Sequence, residues 1–593
     1  MCKVSPVLKY FNKLKSIPRN IVSSFKQLDV SFLRFSPQQM SSPWHRTGGL
    51  VLLAVYVLIV LQDSFVTEDA MITLRTVDNF VNGYGLRWNI NERLQVFTHP
   101  LWMFVMSVFY SITREPFYTV LFLSVAVSGF AYFLFYSRLV TNGLSMLVGL
   151  SLLLFSQAYV AFSSSGLANP LVHLLVILFA IVWRRTTPAN TTPIRLFLLS
   201  FLSCLCVLTR MDTGLVFFPA LLVLSWNALR RLDRKKMLAA LALGYVPFFA
   251  WEIFSIIYFG FALPNTYYAK TAHGIPKSEI LVQGLFYLKN ALIWDPLTLI
   301  AILLGVLFAF LRTTRSRFGL TMGIGALLYV LYVVWVGGDH MSGRFLTTPF
   351  LCSVIVIATA TIAPQVKVIL VAVAVIVGLN SEFPPIATDF NKPQCQLDAA
   401  QILNEPGCAK NAFSLLSRSR EFQYRDNYRA LDGYEERVIG RHVIGEGMAG
   451  IIGYYAGPEV HIIDPLGLTD PLLARIPMLP IEWRIAHFVR PIPDGYREAI
   501  VDEGKIKDPS LSKYYEKLKI ITRGDIWSAR RFEEIWKFNT GAYNYLIEEY
   551  CRHQYKIESC AGLRDLRTAN RLRKKQEERA KRSKERGKYP PKK

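Results

Sequence analysis

The sequence predicts a polytopic α-helical membrane protein that carries a soluble domain in its C-terminal half. The chain has 593 residues, of which 52% are hydrophobic and only 19% are charged. Almost all of its long apolar runs lie before residue 381, and they have the length of bilayer spans. Beyond that point, charged and aromatic residues alternate with short apolar runs, which is typical of an α/β or α+β domain.

The first 47 residues form a basic segment, with eight Lys/Arg against one acid. They predict no cleavable signal peptide, because the first apolar run begins only near Gly48. Short basic loops mark the cytoplasmic side of a membrane protein. We therefore expect a cytoplasmic N-terminus. The other basic loops span 184–195, 230–236 and 312–317.

The apolar runs predict a transmembrane domain over residues 48–380 with about eleven crossings. The predicted crossings are 48–63, 117–138, 143–162, 170–183, 195–209, 213–227, 237–259, 296–311, 318–336, 346–363 and 366–380. With a cytoplasmic N-terminus, the first crossing makes residues 64–100 an external loop. Because the number of crossings is odd, the C-terminal half is also outside. The run 101–112 has only about 12 apolar residues, where a span needs about 20, so we expect a re-entrant or interfacial helix there.

The C-terminal half is predicted to be an external, periplasmic or extracellular, soluble domain over residues 381–563. Its apolar patterns predict strands at 461–464 and 517–522 and a helix over 525–536. The last thirty residues, 564–593, hold fourteen Lys/Arg against four acids and are expected to be disordered. A basic tail can bind nucleic acid, but the external location argues for anionic lipid or envelope polymer and against nucleic acid.

The eight cysteines show no spacing typical of a metal site. Cys204, Cys206 and Cys352 lie within predicted spans and are expected to pack there. Two further pairs, Cys395 with Cys408 and Cys551 with Cys560, are close in sequence within the external domain. An oxidising compartment favours disulfides at both pairs over free thiols.

The adjacent carboxylates of Glu68 and Asp69 are the leading functional candidates. Ionisable groups at a membrane boundary are costly to desolvate, which makes them functional candidates, although a solvated loop is the alternative. The other unusual polar motifs also fall in loops assigned to the external side. These motifs cover residues 163–170, 208–212, 263–270 and 337–345. A transporter distributes polar residues along a midplane path, whereas motifs on one side favour an active site supplied by a lipid-carried substrate.

These motifs resemble those of the GT-C superfamily of membrane glycosyltransferases, most closely the terminal arabinofuranosyltransferase branch, which is sometimes described as a flagellar motor control protein. The resemblance covers about residues 48–490. It rests on Glu-Asp-Ala at 68–70, Leu-Arg at 74–75, Asn-Gly-Tyr-Gly-Leu at 82–86, Glu-Arg at 92–93 and Thr-His-Pro-Leu-Trp at 98–102. It continues through the four external motifs and through residues 450–455 and 464–471.

The resemblance implies transfer of a sugar, arabinofuranose in that branch, from a polyprenyl-phosphate donor to a glycan or protein acceptor at the external face. The expected partners are therefore membrane lipid, the lipid-linked donor and the acceptor. Attack by an acceptor hydroxyl needs a general base, for which Asp69 is the first choice and Glu68 the second. Cations stabilise the leaving phosphate, and the candidates are Arg93, Arg210, Lys270 and Arg344, together with His340.

The remaining candidate binding residues are His99, Asp212, Asn265, Tyr267, Tyr268 and Asp339. Alternatives stay open for several of them. Arg210 and Asp212 are also able to neutralise each other at a helix end, and the tyrosines also fit an interfacial aromatic belt. No cofactor or metal site is expected, although a divalent cation between Glu68 and Asp69 stays open. His487 is expected to pack within the external domain.

Two positions depart from the family pattern. Ala168 stands where relatives commonly have a glutamate after Ser-Gly-Leu, and Gln95 stands where many have a second acid. The missing carboxylate at Ala168 puts full activity in doubt. Two further functions therefore stay open, a non-catalytic envelope or motor-associated protein and a transporter of lipid-linked glycans.

Overall fold

The computed structural model describes residues 43–140, 142–386, 395–409, 414–416, 428–440, 442–445, 447, 449–571, 573–574 and 577. Most of the basic N-terminal segment and most of the basic tail lie outside these residues. The beginning of the predicted tail is helical over residues 563–571.

The N-terminal half is a packed bundle of helices. Their bounds are α1 (Pro43–Gln62), α2 (Glu68–Val81), α3 (Pro100–Thr113), α4 (Pro116–Leu134), α5 (Gly143–Phe155), α6 (Gln157–Ala161), α7 (Asn169–Arg184), α8 (Pro193–Thr209), α9 (Gly214–Leu229), α10 (Arg234–Gly244), α11 (Val246–Tyr258), α12 (Asn265–Thr271), α13 (Lys277–Trp294), α14 (Pro296–Phe310), α15 (Arg317–Trp335), α16 (Thr347–Thr359) and α17 (Pro364–Leu379). Several begin with proline in the first turn, where a missing N–H costs no helical hydrogen bond.

Four helical segments among the described residues are long and apolar enough to cross a bilayer on their own. They are His45–Gln62, Pro116–Leu139, Met211–Leu229 and Arg317–Trp335. The pair α10 and α11, bent by 47°, and the pair α13 and α14, bent by 111°, raise the number to six if each pair is one span. The other predicted crossings coincide with shorter apolar helices, so the count of eleven stays a prediction.

Two parts of the N-terminal half differ from the loops that the sequence predicted. The expected external loop 64–100 contains helix α2, whose apolar face is buried. The stretch 260–295, which connects the predicted crossings 237–259 and 296–311, contains the eighteen-residue helix α13. The predicted short helix at 101–112 is present as α3, and its placement in a membrane stays a prediction.

The C-terminal half is mostly helical in its described residues. It contains α18 (Glu405–Ala409), α19 (Tyr428–Ile439), α20 (Ala449–Ala456), α21 (Tyr496–Ile500), α22 (Pro509–Arg523), α23 (Ala529–Asn539) and α24 (Asn544–Tyr555). Its described strands, β1 (Val443–Gly445) and β2 (His461–Ile463), pair in parallel, with Ile444 opposite Ile462. The strand predicted at 461–464 and the helix predicted at 525–536 are therefore present with shifted ends.

The strand predicted at 517–522 is wrong, because these residues belong to helix α22. Asp508 caps this helix by accepting a hydrogen bond from the Leu511 N–H at 2.8 Å. Leu511, Tyr515, Leu518 and Ile521 are buried at helical spacing. The apolar run at its end was too short to distinguish a strand from a buried helix turn.

The two halves share their apolar cores. Ile402, Ala430, Ile451 and Tyr455 of the C-terminal half pack into the main core of the N-terminal bundle. Conversely, Trp88 packs with residues of α20 and β2. The predicted boundary at residue 381 therefore marks a change in amino-acid composition. It does not separate two independent cores, because residues from both halves pack together.

Both predicted cysteine pairs form disulfides. Cys395 is bonded to Cys408, and Cys551 is bonded to Cys560. Cys204, Cys206 and Cys352 are free and buried, as expected for packing residues.

Candidate active site

The first turn of α2 positions Asp69 at a cavity between the helices. The side chain of Thr67 caps the helix by accepting a hydrogen bond from the Ala70 N–H at 3.1 Å. Gly166 packs against this turn with a φ of 78°, and an added Cβ would lie 2.9 Å from the Ala70 Cβ. The Trp102 indole donates to the Gly166 carbonyl oxygen at 3.0 Å. Local helix capping and a glycine loop thus hold the carboxylate in place.

The cavity has a volume of about 100 Å³, and five of its fifteen lining residues are site candidates from the sequence analysis, namely Asp69, His99, Arg210, Lys270 and Arg344. It is formed by the first turns of α2, the loop before α3, the start of α7 and helix α12, together with Arg210 at the end of α8, Arg344 before α16 and Leu468 of the C-terminal half. Its polar lining is Asp69, Thr73, Thr98, His99, Asn169, Arg210, Thr266, Lys270 and Arg344, and Ala168 also faces it.

Arg344 connects the two carboxylates of the site. Its Nη1 donates to Asp69 Oδ2 at 3.1 Å, and its Nη2 donates to Asp339 Oδ1 at 3.0 Å. A second ion pair joins its Nε to Asp339 Oδ2. His340 Nδ1 also lies 3.1 Å from Asp339 Oδ1. The result is a buried, charge-assisted network that fixes the orientation of Arg344 towards Asp69.

A larger cavity of about 590 Å³ adjoins the first and shares five residues with it. The shared residues are Thr98, Arg210, Thr266, Lys270 and Arg344. Further out, the cavity is lined by apolar and aromatic side chains, among them Leu263, Tyr267, Ile280, Trp335 and Phe345. It combines a cationic inner end with an apolar outer part, which suits an amphiphilic ligand.

Three cations meet where the two cavities join. Besides Arg344, these are Lys270 on α12 and Arg210 at the end of α8. Arg210 Nε donates to Asp212 Oδ1 at 3.1 Å, and Tyr329 donates to Asp212 Oδ2 at 2.9 Å. The expected pairing of Arg210 with Asp212 is therefore present, yet Arg210 still lines both cavities.

The charges of the site favour ionised carboxylates. Burial opposes ionisation of Asp69, but the charges of His340, Arg344 and Lys270 outweigh it and lower the pKa of the carboxyl. Burial likewise opposes ionisation of Asp339, and Arg344 outweighs it so that the pKa falls. Burial lowers the pKa of Lys270, assisted by Arg344 and Arg210. Asp69 is consequently ionised at neutral pH.

His99 is a neutral member of the cavity wall. Burial, with a contribution from Arg210, lowers the pKa of its imidazole to about 4. Its Nε2 lies 2.9 Å from the Thr73 hydroxyl, and its Nδ1 lies 3.3 Å from the Thr98 hydroxyl. These contacts fix the ring beside Asp69 without adding charge.

Glu68 lies outside the cavity, although it is the neighbour of Asp69 in sequence. Its Oε1 accepts hydrogen bonds from the N–H groups of Gly450 at 2.7 Å and Ile451 at 3.1 Å. Burial raises the pKa of Glu68 to about 7, against these hydrogen bonds. Glu68 therefore positions α20 at the first turn of α2 and does not face the cavity. The divalent cation considered between the two carboxylates loses its basis, since the two side chains bind different partners.

Three other candidates have structural contacts outside the first cavity. The Arg93 guanidinium donates to the carbonyl oxygens of Ile521 and Gly524. The Asn265 amide donates to three carbonyl oxygens in the segment 467–470. Tyr268 packs against Phe261 and under the Arg475 guanidinium. These contacts join the N-terminal bundle to the C-terminal half, which a search for functional motifs does not reveal.

The structure also adds residues that the sequence analysis did not select. Thr73 follows Asp69 by one helical turn, so the i, i+4 spacing was the available signal. Asn169, which begins α7, donates to the Thr347 hydroxyl at 2.9 Å. The His487 ring lies 4.6 Å from the His340 ring, so its expected packing role includes contact with the site. In the described part of the chain, no cluster of three His, Cys, Asp or Glu residues has the geometry of a metal site.

The chain is similar to one curated protein of known activity. It is 29% identical over 334 residues to the terminal beta-(1->2)-arabinofuranosyltransferase of Mycobacterium tuberculosis. The aligned region is 49% of this chain and 52% of that protein, so the chain spans about half the length of the curated relative it matches. The resemblance that the motifs predicted is confirmed.

The fold was also compared with solved structures. The crystal structure of ArnT from Cupriavidus metallidurans bound to undecaprenyl phosphate aligns with 73% of this chain and 77% of that chain. The TM-score is 0.43 and the sequence identity is 15%. No family model matches the chain.

Proposed function

We propose that this protein is a GT-C-type glycosyltransferase that moves a sugar from a polyprenyl-phosphate donor to an acceptor hydroxyl at the external face of a bacterial plasma membrane. One observation carries the proposal. The ionised carboxylate of Asp69 faces a cavity in which three cations border an adjoining, mostly apolar cavity. That arrangement matches a reaction with a neutral nucleophile, an anionic leaving group and a lipid chain.

Asp69 is the proposed general base. Its Oδ2 is held by Arg344 at 3.1 Å, while Oδ1 has no hydrogen bond within the described residues. In the proposed reaction the acceptor hydroxyl attacks the anomeric carbon and transfers its proton to Asp69. The bond between that carbon and the phosphate oxygen breaks, and the lipid phosphate leaves with the electron pair. A positioned carboxylate contributes about 10²–10⁴ in rate.

Arg344, Arg210 and Lys270 are proposed to stabilise the leaving phosphate. Arginine binds a phosphate through two parallel N–H donors, whereas lysine supplies a point charge. Arg344 and Arg210 are already held at the junction of the cavities by Asp339 and Asp212, so little reorganisation of these two side chains is needed as charge develops. Because Asp339 and Asp212 partly neutralise two of them, the site binds an anion without excessive positive charge.

The larger cavity is the proposed binding site of the polyprenyl chain. Its outer wall includes Trp335, the last residue of the membrane-crossing helix α15, which is 56% exposed. Lys277 lies over the Trp335 ring at 3.9 Å. An aromatic ring and a lysine at a helix end are typical of the membrane interface. A lipid is thereby able to enter from the bilayer with its phosphate reaching Arg344.

The donor sugar is proposed to be arabinofuranose, because the curated relative is an arabinofuranosyltransferase. The orientation rests on the basic loops, which argue for a cytoplasmic N-terminus and an external C-terminal half. Ala168 leaves the cavity wall without the glutamate found in relatives. The acceptor is proposed to be a glycan or a glycosylated protein of the envelope.

The test is transfer of radiolabelled arabinofuranose from a polyprenyl-phosphate donor to an acceptor fraction by the full chain in detergent. Asp69→Asn should lower the rate by about 10²–10⁴. Asp494→Asn is the matched control, because this carboxylate is 78% exposed and its ion-pair partner among the described residues is the exposed Lys507. A rate unchanged in Asp69→Asn would contradict the proposed base. Movement of labelled donor across a bilayer without transfer would instead indicate a transporter.

A further inference from the structure

A second polar cleft lies at the other end of α2. Its volume is about 600 Å³. It is formed by the end of α2, the turn between α3 and α4, and helices α19 and α20 of the C-terminal half. Its lining residues are Asp78, Asn82, Tyr84, Arg114, Pro116, Tyr434, Arg437, Tyr454, Tyr455, Gly457 and Pro458. None of these residues lines the Asp69 cavity.

The helix geometry separates the two sites. Asp78 follows Asp69 by nine residues, which is about 13.5 Å along the helix axis and half a turn around it. The two carboxylates therefore point from opposite faces of α2. A ligand in the cleft would contact the protein away from the reacting atoms.

Two motifs noted in the sequence converge on this cleft and have no place in the proposed chemistry. The Asn-Gly-Tyr-Gly motif supplies Tyr84, which is 39% exposed. Gly83 and Gly85 on either side of it have φ values of 89° and 85°. This left-handed backbone, which favours glycine, holds the Tyr84 ring out from the end of α2.

The second motif, Gly-Tyr-Tyr at 453–455, supplies aromatic rings from the C-terminal half. The Tyr454 and Tyr455 ring centroids are 5.3 Å apart, and Tyr434 of α19 lies 5.0 Å from Tyr455. Tyr434 is 38% exposed. Two exposed tyrosine rings from segments about 350 residues apart in sequence thus border one cleft.

A hydrogen-bonded row of polar groups runs along the cleft. Asp78 Oδ1 accepts from Tyr110 at 2.6 Å and from the Asn82 amide at 2.9 Å. Tyr110 also lies 2.9 Å from the Tyr454 hydroxyl. Arg114, a non-glycine residue with a φ of 54°, donates to Asn82 Oδ1 at 2.8 Å. Within the described residues Asp78 Oδ2 accepts no hydrogen bond, so it is available to a ligand hydroxyl.

We propose that this cleft binds a segment of a glycan at a distance from the hydroxyl that reacts at Asp69. Tyrosine rings present an apolar face and a polar edge, which match the C–H face and the hydroxyl groups of a sugar. The donors and acceptors along the row satisfy a neutral, polyhydroxylated ligand better than an acyl chain. The role as an acceptor subsite rests on the proposed function. Holding a distant segment raises the effective concentration of the acceptor end at the active site.

The binding test uses the full chain carrying Asp69→Asn, without added donor, so that no transfer occurs during the titration. Fluorescently labelled linear hexasaccharides of arabinofuranose, galactofuranose, mannose and glucose are titrated and followed by fluorescence polarisation. For at least one hexasaccharide, Tyr84→Ala and Tyr434→Ala should each weaken binding about three- to tenfold. Tyr84→Phe should retain most of it. Tyr545→Ala is the control, since this exposed tyrosine lies on α24.

Each contrary outcome has a defined meaning. Binding of none of the four hexasaccharides overturns the proposal, as does glycan binding that the cleft variants leave unchanged. If inorganic phosphate binds instead, and Arg114→Gln weakens it, the cleft is an anion site. In the active protein, Tyr84→Ala should raise KM for a hexasaccharide acceptor and leave the rate with a monosaccharide acceptor unchanged. Absence of all transfer would contradict the proposed function alone, because glycan binding is measured separately.

Discussion

Replacing Arg344 with glutamine should separate its structural contribution from its role in catalysis. The side chain is 7% exposed, and it is the ion-pair partner of Asp339, which is 1% exposed. Removing one member of a buried ion pair leaves an uncompensated charge, which costs about 3–5 kcal/mol. Arg344→Gln should therefore lower the midpoint of thermal unfolding strongly. Asp69, whose side chain is 30% exposed, is able to gain water as a new partner.

The double variant Arg344→Gln/Asp339→Asn makes the separation measurable. Asp339→Asn removes the buried charge, so the double variant should regain most of the lost stability, as expected for two groups in direct contact. Transfer should stay about 10²–10³ below the unmodified protein, because the leaving phosphate still lacks Arg344, one of the three cations proposed to stabilise it. Unfolding is followed by tryptophan fluorescence in detergent, and transfer is measured on the same preparations.

Two results would refute this reasoning. If the double variant regained both stability and transfer, Arg344 would act only by neutralising Asp339. If Arg344→Gln alone left the unfolding midpoint unchanged, the buried pair would be far weaker than its burial implies. Arg344→Lys keeps the charge but loses the paired donors, and it should give an intermediate rate.

Three further predictions concern pH, the disulfide near the site and the glycine beside α2. Burial lowers the pKa of Lys270 below its usual 10.5, so kcat/KM should fall as pH rises towards that value and Lys270 loses its proton. Lys270→Arg should move this alkaline limb to higher pH. Cys395→Ser/Cys408→Ser removes a disulfide between residues thirteen apart in sequence, which should lower the free energy of unfolding by about 3 kcal/mol. Because Leu403 is hydrogen-bonded to His340 and Ser342, hydrogen exchange should rise in segment 339–344, while Cys551→Ser/Cys560→Ser should leave that segment unchanged. Gly166→Ala places alanine at an unfavourable φ and brings its Cβ close to Ala70, so it should lower the free energy of unfolding by about 1–3 kcal/mol. Gly143→Ala is the control, because the added Cβ there meets open space. A smaller loss of stability in Gly166→Ala than in Gly143→Ala would contradict this prediction.

The sequence was sufficient to locate most of the apolar helices and to select five polar residues of the first cavity. Asp69, His99, Arg210, Lys270 and Arg344 were all selected from motifs, and the structure brings them together. This worked because a polar residue beside an apolar run is expensive to place and therefore conspicuous. Spacing along the chain alone did not show which of them form pairs.

Glu68, Arg93 and Asn265 lie outside the first cavity for one physical reason, which is contact with residues distant in sequence. Glu68 accepts hydrogen bonds from the Gly450 and Ile451 N–H groups of α20, which lie 382 and 383 residues away in sequence. Arg93 and Asn265 hold the C-terminal half through carbonyl oxygens, which carry no signal in a sequence. The strand predicted at 517–522 failed differently, because a short apolar run has no period of its own until the preceding turns of α22 are included.

The attachment of α2 to the C-terminal half limits how far the chain can be shortened. Arg75, which is 2% exposed, donates to the carbonyl oxygens of Gly453 and Val460 and lies over the Trp88 ring. A protein truncated near residue 380 would lose both acceptors and leave the buried guanidinium with only its Trp88 and Asn89 contacts, six residues after Asp69. The apolar runs therefore do not delimit a minimal folded unit. Expression, crystallisation and inhibitor screening would all need the C-terminal half to be present.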